Sequence, residues 1–79
     1  MAFENTQMFD VDSSNVRRMG YDEDAAVLYV TFYNKKTGAE DTYWYAGVSP
    51  ETWAAFWEAP SKGQFIWQNI RGVYEHGRL

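Results

Sequence analysis

Cysteine is missing from the chain altogether, so neither disulfides nor thiolate metal sites can support the fold. The single histidine, His76, cannot form a zinc site by itself. Basic residues are scarce: seven Lys and Arg stand against eleven Asp and Glu, giving a net charge of −4. That is the reverse of the basic footprint of a protein that holds phosphates by counterion release. No apolar run approaches the roughly 18–20 residues of a membrane span. The opening residues MAFENTQMFD lack the basic and apolar regions of a signal peptide. The expectation is a soluble, cytoplasmic protein with no membrane partner. The acidic groups Asp22, Glu23, Asp24 and Glu40, Asp41 lack the loop spacing of an EF-hand, so no metal is expected. Ser13 and Ser14 have no plausible general base, and no set of nucleophile, base and oxyanion donors can be assembled. The reading is a protein that is not an enzyme and takes no cofactor.

What the chain does have is aromatic residues. Four Trp, six Tyr and five Phe make up 19% of its 79 residues. A domain this small buries only about 60% of the surface its unfolded chain exposes. Large side chains, each taking roughly 150–250 Å² out of water, are how such a chain builds a core.

The organising stretch runs from Ala26 to Val48. Leu28, Val30 and Phe32 share one face of a strand, and Tyr29, Thr31 and Tyr33 share the other. Asn34 to Asp41 reads as a polar loop, and Thr42 to Ala46 as the returning strand. Period 2 separates Tyr43 and Tyr45 from Trp44, but the sequence does not fix the register of the hairpin. If Tyr33 faces Thr42, Tyr43 and Tyr45 join Val30 and Phe32 under the helices, while Tyr29, Tyr33 and Trp44 gather outside. Upstream, Met1 to Gln7 show no clear period and a frayed terminus is expected, followed by a strand-like alternation at Phe9 and Val11. Asp12 to Asn15 reads as a turn, Val16 to Tyr21 as a short strand ending near Gly20, and the acidic cluster at Asp22 as a second turn.

Downstream, Ser49 as N-cap, Pro50 at the first helical position and Glu51 in the first turn open a helix. Its stripe is Trp53, Phe56 and Trp57, with Val48 placed to staple against Trp53. Pro60 ends it. Ser61, with Gln64 three residues on, opens a second helix expected to run to about His76, with Ile66, Ile70, Val73 and Tyr74 on one face. Phe65 and Trp67 flank that stripe on opposite sides, so one of them should stand partly exposed. The sum is a small two-layer α+β domain: an antiparallel sheet of about three strands followed by two helices packed on one face. Residues 11–79 form the single domain, after an N-terminal segment at 1–10.

These residues resemble the KTSC domain family. The resemblance rests on SSNV (Ser13, Ser14, Asn15, Val16), the MGYD block with Gly20 and Tyr21, the L-x-V-x-F strand, Y-x-Y at Tyr43 and Tyr45, and Pro50. It continues through Ala59, Ser61, Gly63 and Phe65, then Ile70, Arg71 and Tyr74, and covers about Val11 to Leu79. The chain departs from the pattern in its longer hairpin loop at Asn34 to Asp41 and in Trp67, where a smaller polar residue is more usual. The resemblance implies a free-standing small bacterial or phage protein related to the C-terminus of some lysyl-tRNA synthetases. It implies no assigned activity, and RNA binding as one candidate role.

Two uses of the aromatic outer face follow. An uncovered aromatic sheet face fits a protein partner or a homodimer. The same rings, Tyr29, Tyr33 and Trp44, with Arg17 or Arg18 beside Trp44 as a cation–π rim, would also suit unpaired RNA bases. Trp53, Gly63, Ile70 and Tyr74 are given structural roles, and Arg71 is expected to pair with Glu75 along the second helix.

Overall fold

The computed structural model describes residues 3, 6–13 and 15–79, and Ser14 of the SSNV motif lies outside the described residues. Five strands form one antiparallel meander in the order β1-β2-β3-β4-β5. They are β1 (Met8–Asp10), β2 (Val16–Asp22), β3 (Val27–Tyr33), β4 (Glu40–Ala46) and β5 (His76–Arg78). The sheet therefore has five strands rather than about three. Of the strands outside that count, β1 coincides with the strand-like alternation at Phe9, while β5 is three residues long, too short for alternation to reveal it. Between β4 and β5 run α1 (Pro50–Glu58) and α2 (Lys62–Phe65), the latter continued by a π-helical turn at Ile66–Ile70.

Register settles the hairpin. Tyr33 pairs with Glu40, Thr31 with Thr42 and Tyr29 with Trp44. This is two residues away from the Tyr33–Thr42 pairing considered above, and a shift of two leaves every side chain on the same face. Leu28, Val30 and Tyr45 accordingly enter the core with Val16, Met19, Val48, Phe56, Ile66 and Ile70, while Phe32, Tyr43 and Trp53 pack against it. The returning strand begins two residues earlier than expected, at Glu40.

Helix α1 starts as its sequence dictates. Ser49 is the N-cap, its Oγ accepts from the Thr52 N–H at 3.2 Å, and Pro50 follows. Ser61 likewise caps α2, accepting from the Gln64 N–H at 3.3 Å. The second helical segment does not reach His76. Its last turn closes with the Arg71 N–H donating to the Ile66 carbonyl at 2.7 Å, a wide i to i+5 ring. Arg71 then turns extended, and Gly72 takes φ +79°. A side chain at 72 would resist that left-handed backbone, so glycine here ends the helix as a C-terminal stop. His76 consequently sits on β5, stacked on Tyr45 with ring centres 5.8 Å apart, and not in a helix turn.

Candidate functional site

The outer face of the sheet, away from the helices, is where sequence reasoning set an open aromatic surface. It is closed. Tyr29 is 0% exposed, with the Phe3 ring packed on it at 5.0 Å. Phe3 belongs to the segment expected to fray, and here it acts as the cover over the middle of the face. Pairing aligns Met8, Gly20, Tyr29, Trp44 and Gly77 in one row across all five strands. Opposite faces alternate along a strand, so these five directly paired residues all point outward. The two glycines make the row fit. A β-carbon at Gly20 would run into Met8 Sδ and lie 2.7 Å from the Gln7 carbonyl oxygen. One at Gly77 would lie 2.7–2.8 Å from the Trp44 indole. Trp44 thus lies down on β5 and is half-buried. It does not stand free as a stacking platform.

The arginines are engaged as well. Arg17 lies over Tyr33, 4.2 Å from the ring centre, rather than beside Trp44, and its Nε is 3.3 Å from Glu40 Oε2. Arg18 Nη1 donates to Glu40 Oε1 at 2.8 Å, and its Nε is 3.5 Å from Asp10. The bond to Glu40 is the chief reason the Arg18 pKa lies above its ordinary value. Beside these pairs, the Thr31 and Thr42 hydroxyls share a hydrogen bond of 2.8 Å. Tyr29, Tyr33, Trp44, Arg17 and Arg18 are therefore brought onto one side of the sheet as expected, but their rings and charges are already occupied. Tyr29 and Trp44 in particular are corrected from exposed contacts to covered ones.

Exposed aromatics stand on the helical side instead. Trp57 is 44% and Trp67 62% exposed. Trp57 was assigned to the apolar stripe of α1, yet only Phe56 of that stripe is fully buried. Trp57 caps a line of rings: Phe9 meets it edge-on at 5.0 Å, Trp53 lies 5.6 Å away, and Trp53 in turn stacks on Tyr21 at 5.6 Å and 12°. Tyr21 is pinned by its hydroxyl, which donates to the Val48 carbonyl at 2.5 Å. Burial raises the Tyr21 pKa, and the carboxylates of Glu23, Glu51 and Asp22 raise it further. An apolar cleft of about 530 Å³ runs beside these rings, lined by Phe9, Trp53, Ala54, Trp57 and Glu58.

The second exposed ring, Trp67, projects from the π-helical turn. Of the two residues flanking the stripe, Phe65 packs on Phe56 at 5.3 Å, and Trp67 is the one left outside. Arg71 lies over it, 4.0 Å from the ring centre, because the chain turns extended at Arg71 and removes the helical partner expected in Glu75. Beneath them a groove of about 380 Å³ is floored by Phe32, Tyr43 and Tyr45, with His76 at its end. Burial raises the Tyr45 pKa, while the nearby Arg71 charge partly offsets that rise.

The remaining motif residues are structural. Gly63 is buried against Asn15, whose Oδ1 would lie 2.7 Å from any β-carbon there, so the SSNV turn and α2 pack through a glycine. Ile70 is buried, Tyr74 packs against the core, and Ser13 lies in the turn between β1 and β2. Among the described residues no three His, Asp or Glu side chains gather as a metal site, and no helix is long and apolar enough to cross a membrane.

Comparison with known proteins agrees with the fold. The crystal structure of a KTSC domain protein from Yersinia pestis superposes with a TM-score of 0.83 at 32% identity, covering 94% of this chain and 97% of that one. A search of curated proteins found no match. The KTSC domain family model matches residues 12–74, and the chain belongs to the KTSC domain family.

Proposed function

We propose that the domain is a non-catalytic binding module that recognises a protein partner, either another protein or a second copy of itself, through the exposed aromatics of its helical side. The observation that carries this reading is the exposure of Trp57 and Trp67 in a chain whose other large rings are buried or half-buried. Leaving two tryptophans in water forgoes the burial a small domain needs, and tryptophan is the residue most enriched at binding hot spots. Net acidity points the same way, since it disfavours polyanions. The same proposal sets the module in a bacterial cytoplasm, host- or phage-encoded, where a cysteine-free chain needs no oxidising compartment.

One observation favours a second reading, RNA binding. The Trp67 groove combines stacking rings with Arg71 and His76, which suits an unpaired base beside a phosphate. A single capture experiment separates the two. The immobilised domain is exposed to bacterial extract with and without nuclease, alongside its Trp57→Ala and Trp67→Ala variants. Retained protein that survives nuclease and vanishes with Trp57→Ala is the expected result. Retained RNA that vanishes with Trp67→Ala would replace the first reading by the second. No capture beyond that of a variant carrying both Trp57→Ala and Trp67→Ala would sink both.

A further inference from the structure

Several carboxylates that make no ion pair among the described residues lie around the Trp57 cleft and along its line of rings. Arg17 and Arg18 are tied to Glu40, Arg78 to Asp41 at 3.7 Å, and Arg71 to the Trp67 ring, and none of them lines that cleft. Among the residues lining the cleft and the hollow beside it the one basic side chain is Lys62, and its ammonium is spent on the helix end, donating to the carbonyls of Trp57 at 2.9 Å and Ala59 at 2.6 Å; Arg17 and Lys35 line a further hollow that Asp12 also borders. Against these stand Glu58, which lines the cleft, and Asp12, which lines the adjoining hollow on the other side of Trp57. At the far end of the ring line stand Glu51, in the first turn of α1 and about two turns before Glu58 on the same side of the helix, and Glu23, just beyond Tyr21 in the chain. None of these four carboxylates makes an ion pair among the described residues. Asp10 also lines the hollow and is shared with Arg18.

Resting on the protein-binding reading above, we infer that the cleft between Phe9, Trp53 and Trp57 receives a basic peptide segment of a protein partner, one large apolar side chain entering the cleft with Lys or Arg on either side. The geometry assigns each part a place. The apolar anchor meets Phe9, Trp53 and Ala54, surfaces with no charge of their own. A flanking cation has the exposed Trp57 face to lie on and Glu58 or Asp12 to pair with. A second cation, further along the segment, reaches Glu51 and Glu23. An acidic peptide would meet only like charge at these points, and the same repulsion opposes a second copy of this acidic chain.

The test is selection of a random peptide library on the whole domain. Enriched peptides are expected to carry net positive charge and a large apolar residue. Their affinity should fall about tenfold or more in Trp57→Ala, as for a truncated hot spot. It should also fall on neutralising the rim with Glu51→Gln and Glu58→Gln, a pair that leaves the core untouched and should flatten the salt dependence of binding. Enrichment of neutral or acidic apolar peptides that still need Trp57 would overturn the basic partner while leaving the protein-binding reading in place. Basic peptides indifferent to the two glutamine changes would overturn it too. So would a concentration-dependent dimer abolished by Trp57→Ala. Absence of any Trp57-dependent peptide would overturn it, and with no Trp57-dependent capture from extract the broader reading would fall with it.

Discussion

The two sides of this sheet solve the problem of aromatic surface in opposite ways. On the outer side no helix is available, and the face is closed by its own residues: Phe3 over Tyr29, Trp44 flat on Gly77, Met8 over Gly20, and arginines bound to Glu40. On the helical side there is a full core, yet Trp57 and Trp67 remain outside it. A sheet face lacking a helix is thus not automatically an interaction surface. Small residues at cross-strand positions let long neighbours lie down and finish the layer. Conversely, a helix with a wide apolar stripe presents only its centre to the core, and the ring at the margin stays in water.

The comparison breaks most sharply at Tyr29. If the outer face is core, Tyr29→Ala should cost about 3–5 kcal/mol in a denaturant titration, as other large buried truncations do. A cost near zero would restore that face as a free surface. Gly20→Ala comes next. Its new methyl would meet Met8 Sδ and the Gln7 carbonyl, and a loss of about 1–3 kcal/mol is expected from overpacking. The matching structural readout is the loss of hydrogen-exchange protection in β1.

Raising the pH probes both sides at once. Tyr29 and Tyr45 have pKa values raised above the ordinary 10.0, burial being the main cause in each, and Tyr21 is raised by burial and nearby carboxylates. A group that holds its proton more tightly when folded contributes stability that is fully present below pH 10 and is lost as pH rises through its folded value. Absorbance at the phenolate band should therefore show Tyr21, Tyr29 and Tyr45 titrating late, together with unfolding. Early ionisation of Tyr21, Tyr29 and Tyr45 without unfolding would contradict their burial. The smallest stability effects are expected at Trp57→Ala and Trp67→Ala, about 1 kcal/mol or less by thermal melting, since both rings stand outside the buried core, 44% and 62% exposed. A large loss at either would make it a core residue and remove it from the proposed binding surface.

Much of the fold was legible because the signals were local. Ser49 and Pro50 specify the start of α1 through chemistry confined to one turn. The alternation in β3 assigns its faces whatever the register, so an even shift in pairing cost nothing. The end of the second helical segment was also written locally, in Gly72. The apolar Val73 and Tyr74 obscured it by continuing the helical period, although Val73 is 65% exposed. What periodicity cannot carry is the identity of a cover. The closure of Tyr29 depends on Phe3, 26 positions earlier in the chain. The occupation of Arg18 depends on Glu40 two strands away. Such contacts are set by topology. The exposure of Trp57 follows from the narrow line along which α1 meets the sheet, which a stripe of three apolar residues does not reveal.

The strand order has a consequence for how the chain assembles. In a meander, β1 to β4 can pair one hairpin after another, each closing a short loop at small entropic cost. β5 differs, because its partner β4 is separated from it by both helical segments, and its pairing must wait until Gly47 to Glu75 has folded back on the sheet. Folding should then be rapid for four strands and completed by the fifth, with the Trp44 ring settling onto Gly77 as the last event. In a variant that keeps Trp44 as its sole tryptophan, indole fluorescence would report the end of the reaction, and the outer face would be the last part of the molecule to become dry.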